Sequence, residues 1–441
     1  MQSQKRFAYD IACYPEKRAE IESSFNELNK SSIAIKFLIE YASSVQKSGE
    51  KYVDELDYDY LIALCSQIVN WANTGDLFHN NIIDEKITLL QSNRIGINKA
   101  AINRLTHYNY QAYKTRLNQS SDPSKLGYYN PWDELVDSDA INEAFVEEYG
   151  YSFSDLANFI MSMVVLGNEY EEEIKQASLE DIVQKIRSLS SETINRIIDD
   201  FSNIAREDFL NPPSPFTGND VYPWRFNRRL SFIRRPILKF ENELIWGNRQ
   251  LFHNFLFLTD LIKEGKLATK KGKLQKLIGK IANKSGNDFN DAVVNKIRSL
   301  GYSMVFSKVE KINRKKIEFT HGETLGDIDV LFINPKKKKI VVIEAKEFSF
   351  SKTAYEMYRE YLKLFCDSDK GPCYITKHKK RVAWVKDHIT ELVEQYHLNH
   401  GKWLVSDALV VNQPIVCNDF YHCQQKIVLF SELSTEVLDK L

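Results

Sequence analysis

HGETLGDIDVLFINPKKKKIVVIEAKEFSF, residues 321–350, decides how this chain reads. GDIDVLFI alternates with period two, so Asp327, Asp329, Leu331 and Ile333 share one face of a strand. In IVVIEAKEF, Glu344 and Lys346 stand two apart and share a face as well. The Asn-Pro-Lys-Lys-Lys-Lys between the two runs is a polar turn. A turn centred between Lys336 and Lys337 pairs Asn334 with Lys339 and, five steps on, Asp329 with Glu344. A slip of one residue would send Glu344 and Lys346 to the opposite face, so the reading depends on register. An ordinary amphipathic hairpin would leave one face solvated. The IVVI run argues instead for burial, where carboxylates and lysines occur paired or bound to metal.

Two carboxylates across a strand pair, beside a lysine, suit a hard divalent cation. Mg²⁺, with Mn²⁺ as a substitute, keeps several waters and accepts one or two carboxylates plus phosphate oxygens of a substrate. Such a metal lowers the pKa of bound water and neutralises charge on a transferring phosphoryl group. Lys346 could orient or help deprotonate the water, or stabilise the transition state.

Asp329, Glu344 and Lys346, in the spacing D-x(14)-E-A-K, resemble the PD-(D/E)XK nuclease superfamily, which includes restriction endonucleases, Mrr-type enzymes and Holliday junction resolvases. The resemblance covers roughly residues 285–435 and implies an αβββαβ core with a mixed central sheet. In that core, helix 287–302 precedes strand 303–310 and the hairpin, and helix 353–368 and strand 403–416 follow. It further implies metal on Asp329 and Glu344, catalysis by the trio, DNA as substrate and a homo-oligomer, since such nucleases usually cut both strands as dimers. One position departs from the family. A glutamate after the first-helix phenylalanine often joins the metal site, but here Phe289 is followed by Asn290, leaving Glu323 or Asp327 as alternative suppliers.

Upstream of this region, apolar residues recur at helical spacing, as in 31–45, 59–72 and 178–201, so residues 1–210 read as mostly helical. A weaker break near 118–133 divides that region. Pro212, Pro213, Pro215 and Pro223 mark a boundary, and residues 211–284 read as a linker, a basic β-hairpin and a helix leading to a nuclease-like domain over 285–441. The expected fold is thus multidomain, an α-helical N-terminal region followed by an α/β restriction-endonuclease-like domain. A helix-turn-helix over 178–201 is disfavoured by its acidic charge.

Charge is segregated along the chain. Residues 1–220 hold 20 Lys+Arg against 35 Asp+Glu, residues 221–320 hold 22 against 8, and 321–441 are balanced at 17 against 17. Arg225, Arg228, Arg229, Arg234 and Arg235, set among aromatics, read as nucleic-acid contacts, as do Lys377, Lys379, Lys380 and Arg381. The acidic region reads as a regulatory or partner-binding part. The arginines could instead pair with that acidic half.

At 441 residues, 43% hydrophobic and 27% charged, the composition excludes a disordered chain, a fibre or a disulfide scaffold. No apolar run is long enough for a bilayer and no secretory h-region opens the chain, so we expect a cytoplasmic protein off the membrane with reduced cysteines. Cys366, Cys373, Cys417 and Cys423, with His422, have gaps too wide for an ordinary structural zinc site. Neither GxxxxGK[ST] nor GxGxxG is present. The leading expectation is a Mg²⁺-dependent DNA endonuclease of restriction or anti-phage defence. The alternatives are a degenerate DNA-binding or assembly subunit, an RNase, or a partner-activated nuclease.

Overall fold

Helix starts in the first half are set by short polar residues ahead of apolar-periodic runs. Ser138, Ser152, Ser178 and Ser190 each accept a backbone N–H from the first turn of the helix that follows. The computed structural model describes residues 10–11, 13–45, 49, 52–82, 87–96, 138–169, 172, 174–225, 227–270, 272–318, 325–349, 351, 353–369, 371–415 and 425–441. The break expected near 118–133 lies outside these residues. The chain divides into two compact units, residues 1–74 with 120–283, and residues 75–119 with 284–441.

The first unit holds α1 (Arg18–Val45), most of α2 (Glu55–His79), α3 (Asp139–Tyr149), α4 (Phe153–Gly167), α5 (Leu179–Lys185), α6 (Ser191–Phe201) and α7 (Asn248–Lys263). Ile194, Ile197, Ile198 and Phe201 form one buried stripe on α6, packed with Phe153, Phe159 and Ile160 of α4. A small antiparallel sheet, β1 (Lys175–Ser178), β2 (Leu238–Phe240) and β3 (Glu243–Trp246), has the order β1-β3-β2. β2 and β3 form a hairpin where the β-branched and aromatic runs predict one, and α7 follows it.

Residues 211–284 are not a linker. Ile237, Leu244, Trp246, Leu251 and Phe255 lie in the same core as α4 and α6, so this stretch is part of the first unit's body. The lysine-rich run also folds as helix: α8 spans Lys273–Ser299, starting well before the expected 287, because Leu274 and Ile278 supply a buried face amid the lysines.

The second unit is built on five strands: β4 (Val305–Val309), β5 (Ile328–Asn334), β6 (Lys339–Lys346), β7 (Leu404–Val411) and β8 (Ile427–Leu429). Their order is β8-β7-β6-β5-β4. β4–β5 and β5–β6 pair antiparallel, whereas β6–β7 and β7–β8 are parallel, so the sheet is mixed. One face packs Val330, Phe332, Val341 and Ile343 on Val293 and Ile297 of α8 and Leu438 of α12 (Thr435–Lys440). The other packs Leu331, Ile333, Ile340 and Val342 on Val382 and Val385 of α10 (Tyr374–Asp387) and Leu392 of α11 (Ile389–Gln395). Near β7, α9 (Ala354–Phe365) covers Leu409 and Val411. Every residue of β5 is buried, which excludes the half-solvated hairpin.

Candidate active site

The β5–β6 ladder has the register that the turn predicts, running from Asn334↔Lys339 to Val330↔Ile343. Asp329 and Glu344 come next in that register. Here side chains enter the hydrogen bonding, and the backbone N–H of Ala345 donates to Asp329 Oδ2 at 3.0 Å. Lys346 Nζ lies 2.9 Å from Asp329 Oδ2 and 2.9 Å from Glu344 Oε1. Two carboxylates from neighbouring strands therefore converge on one ammonium. From α8, Asn290 Nδ2 donates to Asp329 Oδ1 at 3.3 Å.

Helix α10 completes the surroundings. Arg381 donates through Nη1 to Glu344 Oε2 and through Nε to the Leu325 carbonyl at 2.9 Å. His378, three residues earlier and on the same helix face, is fully buried between two carboxylates. Its Nδ1 lies 3.5 Å from Glu344 Oε2 and its Nε2 lies 3.6 Å from Asp407 Oδ2, which are ion-pair contacts longer than a hydrogen bond. Gln425 donates to Asp407 Oδ2 at 2.6 Å.

These contacts set the charge states. Burial alone would raise the Glu344 carboxyl, but His378, Lys346 and Arg381 outweigh it and hold Glu344 well below the usual carboxylate range. Burial, and then the Glu344 charge, push Asp329 up against the opposing pull of Lys346. Lys346 sits above its ordinary value because the Glu344 and Asp329 carboxylates outweigh its burial. For His378, burial lowers the pKa, but Asp407 and Glu344 more than compensate and leave it raised. Within this buried network Glu344 is held as the carboxylate and Lys346 keeps its proton at neutral pH.

One buried oxygen beside Asp329, Asn290 Oδ1, has no hydrogen-bond donor, while Glu344 Oε1 meets the Lys346 ammonium at 2.9 Å. With Asp329, they form an all-oxygen donor set of the kind Mg²⁺ and Mn²⁺ accept, so the residues present fit such a cation. Among the described residues no group of three or more His, Cys, Asp or Glu is placed to hold a metal ion. Asp327 is half-buried, and among the described residues no hydrogen bond or ion pair joins it to Asp329, Glu344 or Lys346. Glu323 lies outside the described residues, as do Cys417, His422 and Cys423. Cys366 and Cys373 are free thiols, and Cys373 caps α10.

Several basic residues that read as phosphate contacts have other employment. Arg381 is buried against Glu344 and supports the site instead of facing solvent. Arg228, 6% exposed, makes a two-pronged ion pair with Glu40 of α1 at 2.6 and 2.9 Å. Arg229 pairs with Asp220 through two 2.7 Å bonds. Arg235 donates to the carbonyls of Asp199 and Ser202, and Arg225 lies over the Tyr222 ring. Guanidinium groups committed this way serve the fold. Lys377 and Lys379 remain on the exposed side of α10, with Lys380 half-buried.

Sequence reasoning missed His378 and Asp407 and misread Arg381. A signal was available: Ile375, Val382 and Val385 mark the buried face of α10, and His378 and Arg381 fall on it.

No curated protein and no solved structure matches the chain. No helix among the described residues is long and apolar enough to cross a membrane. A family model described as anti-phage protein Upx-like matches residues 24–412, most of the sequence. The chain belongs to the anti-phage protein Upx-like family.

Proposed function

We propose that this protein is a metal-dependent endonuclease that hydrolyses DNA phosphodiester bonds in anti-phage defence. The observation that carries the reading is the convergence of Asp329 and Glu344 on Lys346 at 2.9 Å each, beside the buried Asn290 Oδ1, which has no donor. Family membership supports the defence role. Asp329, Glu344 and the Asn290 amide would hold the cation, which supplies charge neutralisation at phosphorus and a more acidic bound water.

The chain's own residues then have separable tasks. Lys346 carries its proton, so it acts as a donor to the charge developing on the phosphoryl oxygens and not as the base. Arg381 and His378 fix Glu344 in its ionised form and in one orientation, acting through it and not on substrate. Water adds to phosphorus, the bond to the bridging oxygen breaks, and that oxygen leaves with a proton. Lys377 and Lys379, exposed on the helix that carries the site, would meet the backbone phosphates.

A second reading has its own observation. Glu344 is already compensated by Lys346, Arg381 and His378, and Asn290 stands where a glutamate would add negative charge. A catalytically degenerate, DNA-binding subunit would look similar. Calorimetric titration with Mn²⁺ separates the two readings. The endonuclease reading expects one saturable Mn²⁺ site per chain that is lost in Asp329→Asn and in Glu344→Gln. Absence of binding in the wild type contradicts it. A panel of plasmid, linear and single-stranded DNA and RNA then assigns the substrate, with DNA cleaved in preference expected.

A further inference from the structure

The first unit contains a cavity of about 460 Å³, within the size range of small-molecule sites. Phe145, Tyr149 and Tyr151 form an aromatic wall, with Tyr149 and Tyr151 stacked at 5.8 Å. Pro215 and Phe216, from the proline-rich stretch, form another part of the lining. The charged lining is uneven: Arg229, Arg234, Arg235 and Lys270 face Glu148 and Asp200.

Most of these groups are already engaged. Arg229 is held by Asp220, Arg235 by two backbone carbonyls, and Asp200 accepts from the Tyr151 hydroxyl at 2.9 Å. Arg234 is the exception. Among the described residues its guanidinium makes no hydrogen bond or ion pair, although it lies deep enough for burial to lower its pKa. A guanidinium in that position calls for an anion, and its planar fork matches a phosphate or carboxylate. A second unsatisfied group lines the same cavity: Asn254 is 1% exposed and its Oδ1 has no hydrogen-bond partner. The cavity thus offers an unpaired cation, an aromatic wall and a vacant acceptor for an N–H donor.

We propose that this cavity binds a small phosphorylated ligand with a planar ring, in chemical class a nucleoside phosphate. The phosphate is taken by Arg234 with Lys270 at the rim, the ring packs on Tyr149 and Phe216, and the Asn254 amide oxygen accepts from the ring's N–H groups. This assignment is independent of the endonuclease reading, because every lining residue belongs to the first unit.

The test is calorimetric titration of the full chain with adenosine, guanosine, cytidine and uridine 5′-monophosphates and with pyrophosphate. EDTA is present so that no metal–phosphate complex forms at Asp329 and Glu344. Saturable binding of at least one nucleotide is expected, weakened about tenfold or more in Arg234→Gln. Lys270 is exposed, so Lys270→Glu tests the same cavity without disturbing the core, and weakening is expected there too. Lys346→Ala, in the second unit, should bind as the wild type does. The proposal is overturned if none of these probes binds, if the Arg234 and Lys270 variants bind as tightly as the wild type, or if Lys346→Ala abolishes binding.

Discussion

Glu344 is a carboxylate with no exposure to water, held ionised by Lys346, Arg381 and His378. Removing one partner from such a buried pair leaves the other charge stranded. Arg381→Met should therefore cost about 3–5 kcal/mol of stability, read by urea unfolding at neutral pH. A loss well under 1 kcal/mol would mean that Glu344 does not depend on it. His378 gives a pH signature. Its folded-state pKa is raised above 6.5 despite its burial, through Asp407 and Glu344. Its stabilisation is therefore complete below the unfolded value and fades as pH rises through the folded one. Wild type minus His378→Gln in melting temperature should be largest near pH ~6 and smaller near pH ~9; a difference that grows with pH contradicts this charge state. At this scale Asp329, Glu344 and Lys346 are legible in the sequence because strand alternation has a fixed period. His378 and Arg381 were hidden in a basic cluster that reads as a nucleic-acid contact.

The hairpin of β5 and β6 shows how far an element can be read from its turn. Pairing of Asn334 with Lys339 fixes every later pair, and the ladder follows that register to Val330↔Ile343. Lys338 closes the turn with a positive φ of 48°, a conformation that costs a residue with Cβ. Lys338→Gly should remove that cost and stabilise the protein by about 1 kcal/mol, measured by chemical denaturation. Destabilisation would show that the Lys338 contact with the His400 carbonyl outweighs the backbone strain. Elements with a strong local period, such as β6, α9 and α7, were legible. The start of α8 was not, because its apolar positions Leu274 and Ile278 are spaced among lysines and glycines that fell within the stretch read as linker and connecting region.

Across the whole molecule, the charge asymmetry in the sequence has a structural use. Arg228 with Glu40, Arg229 with Asp220, Lys239 with Asp199, and Lys273 near Glu143 and Glu147 are pairs inside the first unit. Part of the basic block after residue 220 therefore pairs with the acidic region before it, which the sequence could offer only as an alternative. Opposite charges far apart in the chain become neighbours only through tertiary packing, so no local pattern could decide between that pairing and a polyanion-facing surface. The polyanion contact proposed here falls instead on the second unit, around the carboxylate–lysine site. The most direct measurement is the rate of supercoiled plasmid nicking in Mg²⁺ by purified wild type and Lys346→Ala. The account predicts cleavage by the wild type and a loss of about 10²-fold or more in the variant, the usual scale for removing one transition-state donor. Equal nicking by the two proteins, or none by the wild type, would contradict it.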